Sequence, residues 1–144
     1  TKMGDTFLLA KRSSKSPNTF SQEIKNLQPG KLYCVKMVTG DRQQMIDGVS
    51  DKNTPRVVMK IDNVEYVSER CFDQVIDHCY SHDLGKFNRV HKAWVNYHWR
   101  VFRAKGTTAR LTVSDWANSR DMGGAAGQEI MYNFIEVQPY YLEE

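Results

Sequence analysis

Residues 18–41 read NTFSQEIKNLQPGKLYCVKMVTGD, two alternating runs on either side of a proline-glycine pair. Phe20, Gln22 and Ile24 alternate with Thr19, Ser21 and Glu23, the period-two pattern of a half-buried strand. Pro29 and Gly30 stand where a type II turn places its two central residues. Proline presets the first φ of that turn, and glycine accepts the positive φ that follows. Tyr33, Val35 and Met37 then alternate against Cys34, Lys36 and Val38. The stretch is expected to form a hairpin-like strand pair.

The same punctuation recurs along the chain. Residues 42–55, RQQMIDGVSDKNTP, gather Gly, Asp, Asn and Pro and are expected to be loop. RVVMKIDNVEYV (56–67) returns to strand, with a tight turn at Asp62-Asn63. In SERCFDQVIDHCYSHD (68–83), Phe72, Val75, Ile76, Cys79 and Tyr80 recur at helical spacing, with Ser68 as N-cap and Gln74 and Asp77 facing out. That spacing predicts a short helix, although an irregular loop across a sheet edge fits almost as well. WVNYHWRVFRA (94–104) is a long strand, KGTT (105–108) turns the chain, and ARLTVSDW (109–116) runs back. A Gly/Ala-rich loop (117–129) precedes the closing strand IMYNFIEVQPYY (130–141). Many short strands with Gly/Pro turns and at most one short helix indicate an all-β sandwich of two antiparallel sheets.

The 144 residues suit one domain. The chain opens on Thr1 without an initiator Met, so a fragment of a longer multidomain protein is expected. Hydrophobic residues make up 40% and charged residues 26%, an ordinary globular balance, and no apolar run reaches the ~18 residues that span a bilayer. The excess of three positive charges is too mild and too scattered to indicate nucleic acid. Three cysteines, Cys34, Cys71 and Cys79, cannot build a disulfide framework.

Candidate chemistry is sparse. Cys71, His78, Cys79 and His82 have zinc-ligand types, but the Cys-x7-Cys separation is not that of a zinc knuckle, and no metal is expected. Ser114-Asp115 and Ser81-His82-Asp83 lack a nucleophile elbow. Asp115 and Glu136, expected on neighbouring strands, are the best-placed carboxylate pair, though Asp115 is more readily explained as ordering a turn. GGAAG (123–127) has a phosphate loop's glycines without the Lys-Ser/Thr that completes one. In residues 94–104, Trp94, Asn96, His98, Arg100 and Phe102 fall on one side and Val95, Tyr97, Trp99, Val101 and Arg103 on the other. Neither side is a clean apolar stripe. Trp and Tyr offer flat apolar surfaces to sugar rings, and Arg, Asn and His supply directed hydrogen bonds. The competing reading is that these aromatics are core and sheet-edge residues.

FSQEIKNLQPGKLYCVKM (20–37), WRVFRAKGTTARLTVSDW (99–116) and NFIEVQPY (133–140) resemble the opening strands, central strand pair and closing strand of galactose-binding-like β-sandwich domains. Such domains accompany bacterial glycoside hydrolases and polysaccharide lyases, often as carbohydrate-binding modules. The resemblance implies a jelly-roll-like sandwich, non-catalytic, in a secreted, cell-surface or periplasmic protein, binding a polysaccharide beside an attached catalytic domain. The mild positive charge extends this expectation to sulfated or uronic glycans. The expected ligand contacts are Trp94, Asn96, Tyr97, Trp99, Arg100, Arg103 and Trp116, with no cofactor, membrane or nucleic-acid partner. The family's structural calcium usually draws ligands from an N-terminal segment for which this chain has no counterpart. The alternatives are a structural accessory domain that packs on a catalytic domain, or a small polysaccharide-active enzyme using Asp115, Glu136 or His98.

Overall fold

A computed structural model describes residues 7–47, 56–83 and 88–142, with the side chains of residues 77–94 outside the description. Among the described residues, the strands are β1 (Leu8–Lys11), β2 (Thr19–Ile24), β3 (Leu32–Asp41), β4 (Val58–Asp62), β5 (Val64–Tyr66), β6 (Phe72–Asp83), β7 (Asn88–Ala104), β8 (Ala109–Ser114) and β9 (Glu129–Pro139). A six-residue helix α1 (Arg42–Asp47) and a 3-10 turn (Ser68–Arg70) complete the elements. No described helix is long and apolar enough to cross a membrane.

The larger sheet runs β1-β9-β3-β7, with β5 and β6 both on the far side of β7; the smaller runs β2-β8-β4. All pairings are antiparallel. From β1 to β5 the chain changes sheet at every step, and it does so again on either side of β8. This is the winding of a jelly roll. Val35, Met37, Phe102, Ala104, Ile130 and Tyr132 of the larger sheet meet Met59, Ile61, Ala109, Leu111 and Val113 of the smaller, all buried. These are the alternate positions that the period-two pattern assigns to one face of each strand.

The turn at Pro29-Gly30 has the expected form: the Lys31 N–H donates to the Gln28 carbonyl at 3.1 Å, and Gly30 has φ +84°. However, the strands it joins do not pair as a hairpin. β2 pairs with β8 in one sheet, and β3 with β7 and β9 in the other. The KGTT turn likewise carries the chain from β7 to β8 across the sandwich. The two arches lie side by side, with the Leu27 N–H on the Thr107 carbonyl at 2.9 Å and the Gly30 N–H on the Ala104 carbonyl at 2.8 Å. Buried Leu27 closes this end of the core. The core-facing sides of β3 and β8 are apolar, and an arch lets such faces point at one another, whereas a hairpin would set them side by side.

Residues 68–83 depart from the expected helix. After the single 3-10 turn, all twelve residues of β6 pair with β7. Phe72 and Ile76 share one face of this strand with Gln74, and Val75 takes the other. Apolar side chains on both faces imitate helical spacing, and the ladder offered by the long β7 decides the outcome. The 42–55 stretch is likewise not all loop. α1 begins at Arg42, with Asp41 Oδ1 accepting the Gln44 N–H at 3.1 Å.

Candidate functional site

The outward face of the larger sheet carries a transverse row set by register: Phe72 on β6, Trp99 on β7, Lys36 on β3 and Glu136 on β9. Phe72 and Trp99 stack with centroids 5.8 Å apart and planes 10° from parallel. Tyr97, two residues back along β7, stacks on Trp99 at 6.2 Å and 23°. The Lys36 ammonium lies 5.0 Å from the centre of the Trp99 ring, a cation–π contact. Glu136 accepts a hydrogen bond from Gln138 Nε2 at 2.8 Å. The next row is Gln74, Tyr97, Val38 and Asn133. One half of this face is thus a patch of nearly parallel rings, and the other half is an ammonium, a carboxylate and amides.

Beyond Trp99, Val101 and Cys34 also point outward, yet both are buried. The 3-10 turn explains this. Arg70 Nη1 donates to the Tyr140 hydroxyl at 2.7 Å and lies 5.7 Å from that ring's centre, a strap between elements flanking β7 and β3. Cys71 Sγ adds contacts to the Val67 carbonyl at 3.4 Å and the Val101 N–H at 3.4 Å. Burial pushes the Cys34 thiol pKa up, and both thiols are free.

The inward face of β7 is different in kind. His98 Nδ1 is 2.8 Å from Asp73 Oδ1, and His98 Nε2 is 2.8 Å from Thr39 Oγ1. An ionised carboxylate only accepts, so Nδ1 carries the proton on that side and Nε2 can take the threonine hydroxyl. The order carboxylate, imidazole, hydroxyl is that of an acid-base relay, but Thr39 is 1% exposed and His98 3%. A substrate has no access to that hydroxyl, and the relay acts as a structural tie. Asp73 is also bridged by Arg100 Nη2 at 3.0 and 3.1 Å. The His98 hydrogen bond, foremost, and the Arg100 charge hold the Asp73 pKa below its usual range against partial burial.

The expected contact residues therefore divide. Tyr97, Trp99 and Arg103 face outward, while Asn96 and Arg100 face inward, Asn96 buried. Trp116 lies past the end of β8, its Nε1 donating to the Ser13 carbonyl at 3.0 Å. The Trp94 side chain and those of His78, Cys79, His82 and His91 lie outside the described residues. Phe72, Lys36, Gln74 and Glu136 complete the outward face. Of these, Phe72 and Gln74 lie in the segment whose spacing predicts a helix; as a strand, that segment aligns Phe72 with Trp99.

Asp115 and Glu136 are not on neighbouring strands: β8 and β9 belong to opposite sheets. Asp115 is fully buried, with Oδ1 accepting the Asn18 N–H and Oδ2 the Asn18 amide, each at 2.8 Å. Its carbonyl accepts Arg12 Nε at 2.9 Å. Arg12, 1% exposed, also donates to the Arg56 carbonyl at 3.0 Å and to Gln128 Oε1. Burial lowers the Arg12 pKa, and the nearby Asp115 charge opposes that shift. This cluster ties the loop 117–128 to the N-terminal segment. Among the described residues, no group of three or more His, Cys, Asp or Glu is placed to hold a metal. Comparison with protein-family models, curated proteins and solved structures found no match for this chain.

Proposed function

We propose that this domain is a non-catalytic carbohydrate-binding module that holds a polysaccharide on the outward face of its larger sheet. The observation that carries this reading is the aligned patch Phe72, Trp99 and Tyr97 beside Lys36, Glu136, Gln138 and Asn133. Apolar C–H groups of a sugar pack against the solvent-facing edges of these mutually stacked rings, and the neighbouring ammonium, carboxylate and amides exchange hydrogen bonds with hydroxyls. In a longer chain, binding of this kind raises the effective concentration of an attached hydrolase or lyase at its substrate. Affinity electrophoresis through gels containing plant and algal polysaccharides tests it. At least one polymer retards the native chain, and Trp99→Ala abolishes the retardation while near-UV circular dichroism reports an intact fold. Retardation unchanged by Trp99→Ala would reject this face.

A second reading, packing against a neighbouring domain, draws on the exposed apolar side chains of Leu8, Leu9, Phe134, Ile135 and Val137 along β1 and β9. It predicts no retardation by any polymer and dye binding at this edge.

A further inference from the structure

A groove of about 590 Å³ opens where the 28–31 turn, the end of β7 and the end of β9 meet. Its walls include Lys31, Arg103, Tyr140 and Tyr141, with neither Asp nor Glu among the described residues that line it. Glu65 stands opposite Arg103 in the β5–β7 register but is not part of the lining, so among the described lining residues the two cations make the groove a place for negative charge.

The turn positions both. Gly30, at φ +84°, aims its carbonyl at Arg103, whose Nη1 donates to it at 2.5 Å. That bond uses one of five guanidinium N–H groups; the others have no partner among the described residues. Lys31 is held through its backbone, since its N–H bonds to Gln28 and its carbonyl accepts the Ala104 N–H at 3.0 Å. Its exposed ammonium has no partner among the described residues. Tyr140, fixed by Arg70, forms a wall and offers its hydroxyl. Arg103 shares the outward face of β7 with Tyr97 and Trp99. It lies four residues beyond Trp99, about 13 Å along the strand.

From this placement we infer that the groove takes the carboxylate or sulfate of an anionic glycan that lies over Tyr97 and Trp99 and crosses the Arg70–Tyr140 strap to reach it. The inference rests on the proposed sheet-face binding and names its substrate class. An arginine fork pairs with either anion through two parallel hydrogen bonds, and lysine adds a point charge.

Matched polymers separate the claims: polygalacturonate against its methyl ester for carboxylate, and carrageenan against agarose for sulfate. The native chain is expected to bind the charged member of one pair roughly tenfold more tightly at low salt. That preference shrinks in high salt and disappears in Lys31→Gln/Arg103→Gln. The pair showing the preference identifies the anion. Should the double variant fail to fold, Lys31→Gln alone is expected to reduce the preference several-fold. Equal affinity for charged and neutral members, or a preference that survives these substitutions, overturns the inference and leaves sheet-face binding standing. Binding to none of the four polymers overturns the inference, and sheet-face binding falls with it only if the wider range of polysaccharides also fails to retard the chain.

Discussion

Phe72 and Trp99 face each other across β6 and β7 with their rings 10° from parallel, and this pair joins the edge of the sheet to its aromatic centre. An aromatic pair contributes about 0.5–1.5 kcal/mol beyond the area it buries. Phe72→Ala is therefore expected to lower the thermal midpoint by roughly 2–8 °C and to weaken glycan retention. Calorimetry and affinity electrophoresis on the same preparation check both effects. An unchanged midpoint would show that the pair does not couple the two strands.

Asp73 gives the fold a defined acid sensitivity. Its carboxyl pKa is lowered on folding, chiefly by the His98 hydrogen bond, so the ionised form stabilises the native state. That contribution is present above the unfolded carboxylate value of about 3.9 and is lost as pH falls through the lower native value. Urea unfolding of the native chain and Asp73→Asn should show a gap at pH 7 that narrows below about pH 4. A gap of constant size would contradict the His98–Asp73 tie.

Arg12 holds together segments remote in sequence. Arg12→Met leaves the Asp115 carbonyl, the Arg56 carbonyl and Gln128 Oε1 without their donor. At about 1–3 kcal/mol per unpaired buried acceptor, a loss of roughly 3 kcal/mol or more is expected in denaturant titrations. Gly124→Ala should be comparably damaging, because its Cβ would run into the Arg12 guanidinium. Near-native stability in both variants would remove Arg12 from the account of the fold.

Phe134 occupies the bulge where two β9 residues oppose Met37, at φ +51° and 64% exposed. A left-handed backbone costs an L-residue about 1–2 kcal/mol, and glycine returns part of that gain through its looser unfolded state. Phe134→Gly is expected to be at least as stable as the native chain, by up to about 1 kcal/mol. A clear loss of stability would mean that this exposed ring packs against the protein.

The alternation of Tyr97, Trp99 and Arg103 against Asn96, His98 and Arg100 is legible in the sequence, as are the Pro29-Gly30 turn and the inward faces of β3 and β8. Strand partners are not. Nothing local tells a hairpin from an arch, because both need the same turn residues and the same alternation. Phe72, Val75 and Ile76 stand at helical spacing, and only the long β7 beside them selects the strand. The ties of Thr39 and Asp73 to His98, and of Arg12 to Asp115, join residues 59, 25 and 103 positions apart, with no sequence pattern to announce them.

Glycan binding is proposed to use the outward face of the larger sheet, and two tryptophans separate that face from the rest of the molecule. Isothermal titration of Trp99→Ala and Trp116→Ala with the best-retained polysaccharide tests it most directly. Binding on the outward sheet face predicts at least a tenfold loss of affinity for Trp99→Ala and native affinity for Trp116→Ala. Native affinity in Trp99→Ala, with the loss falling on Trp116→Ala instead, would contradict it.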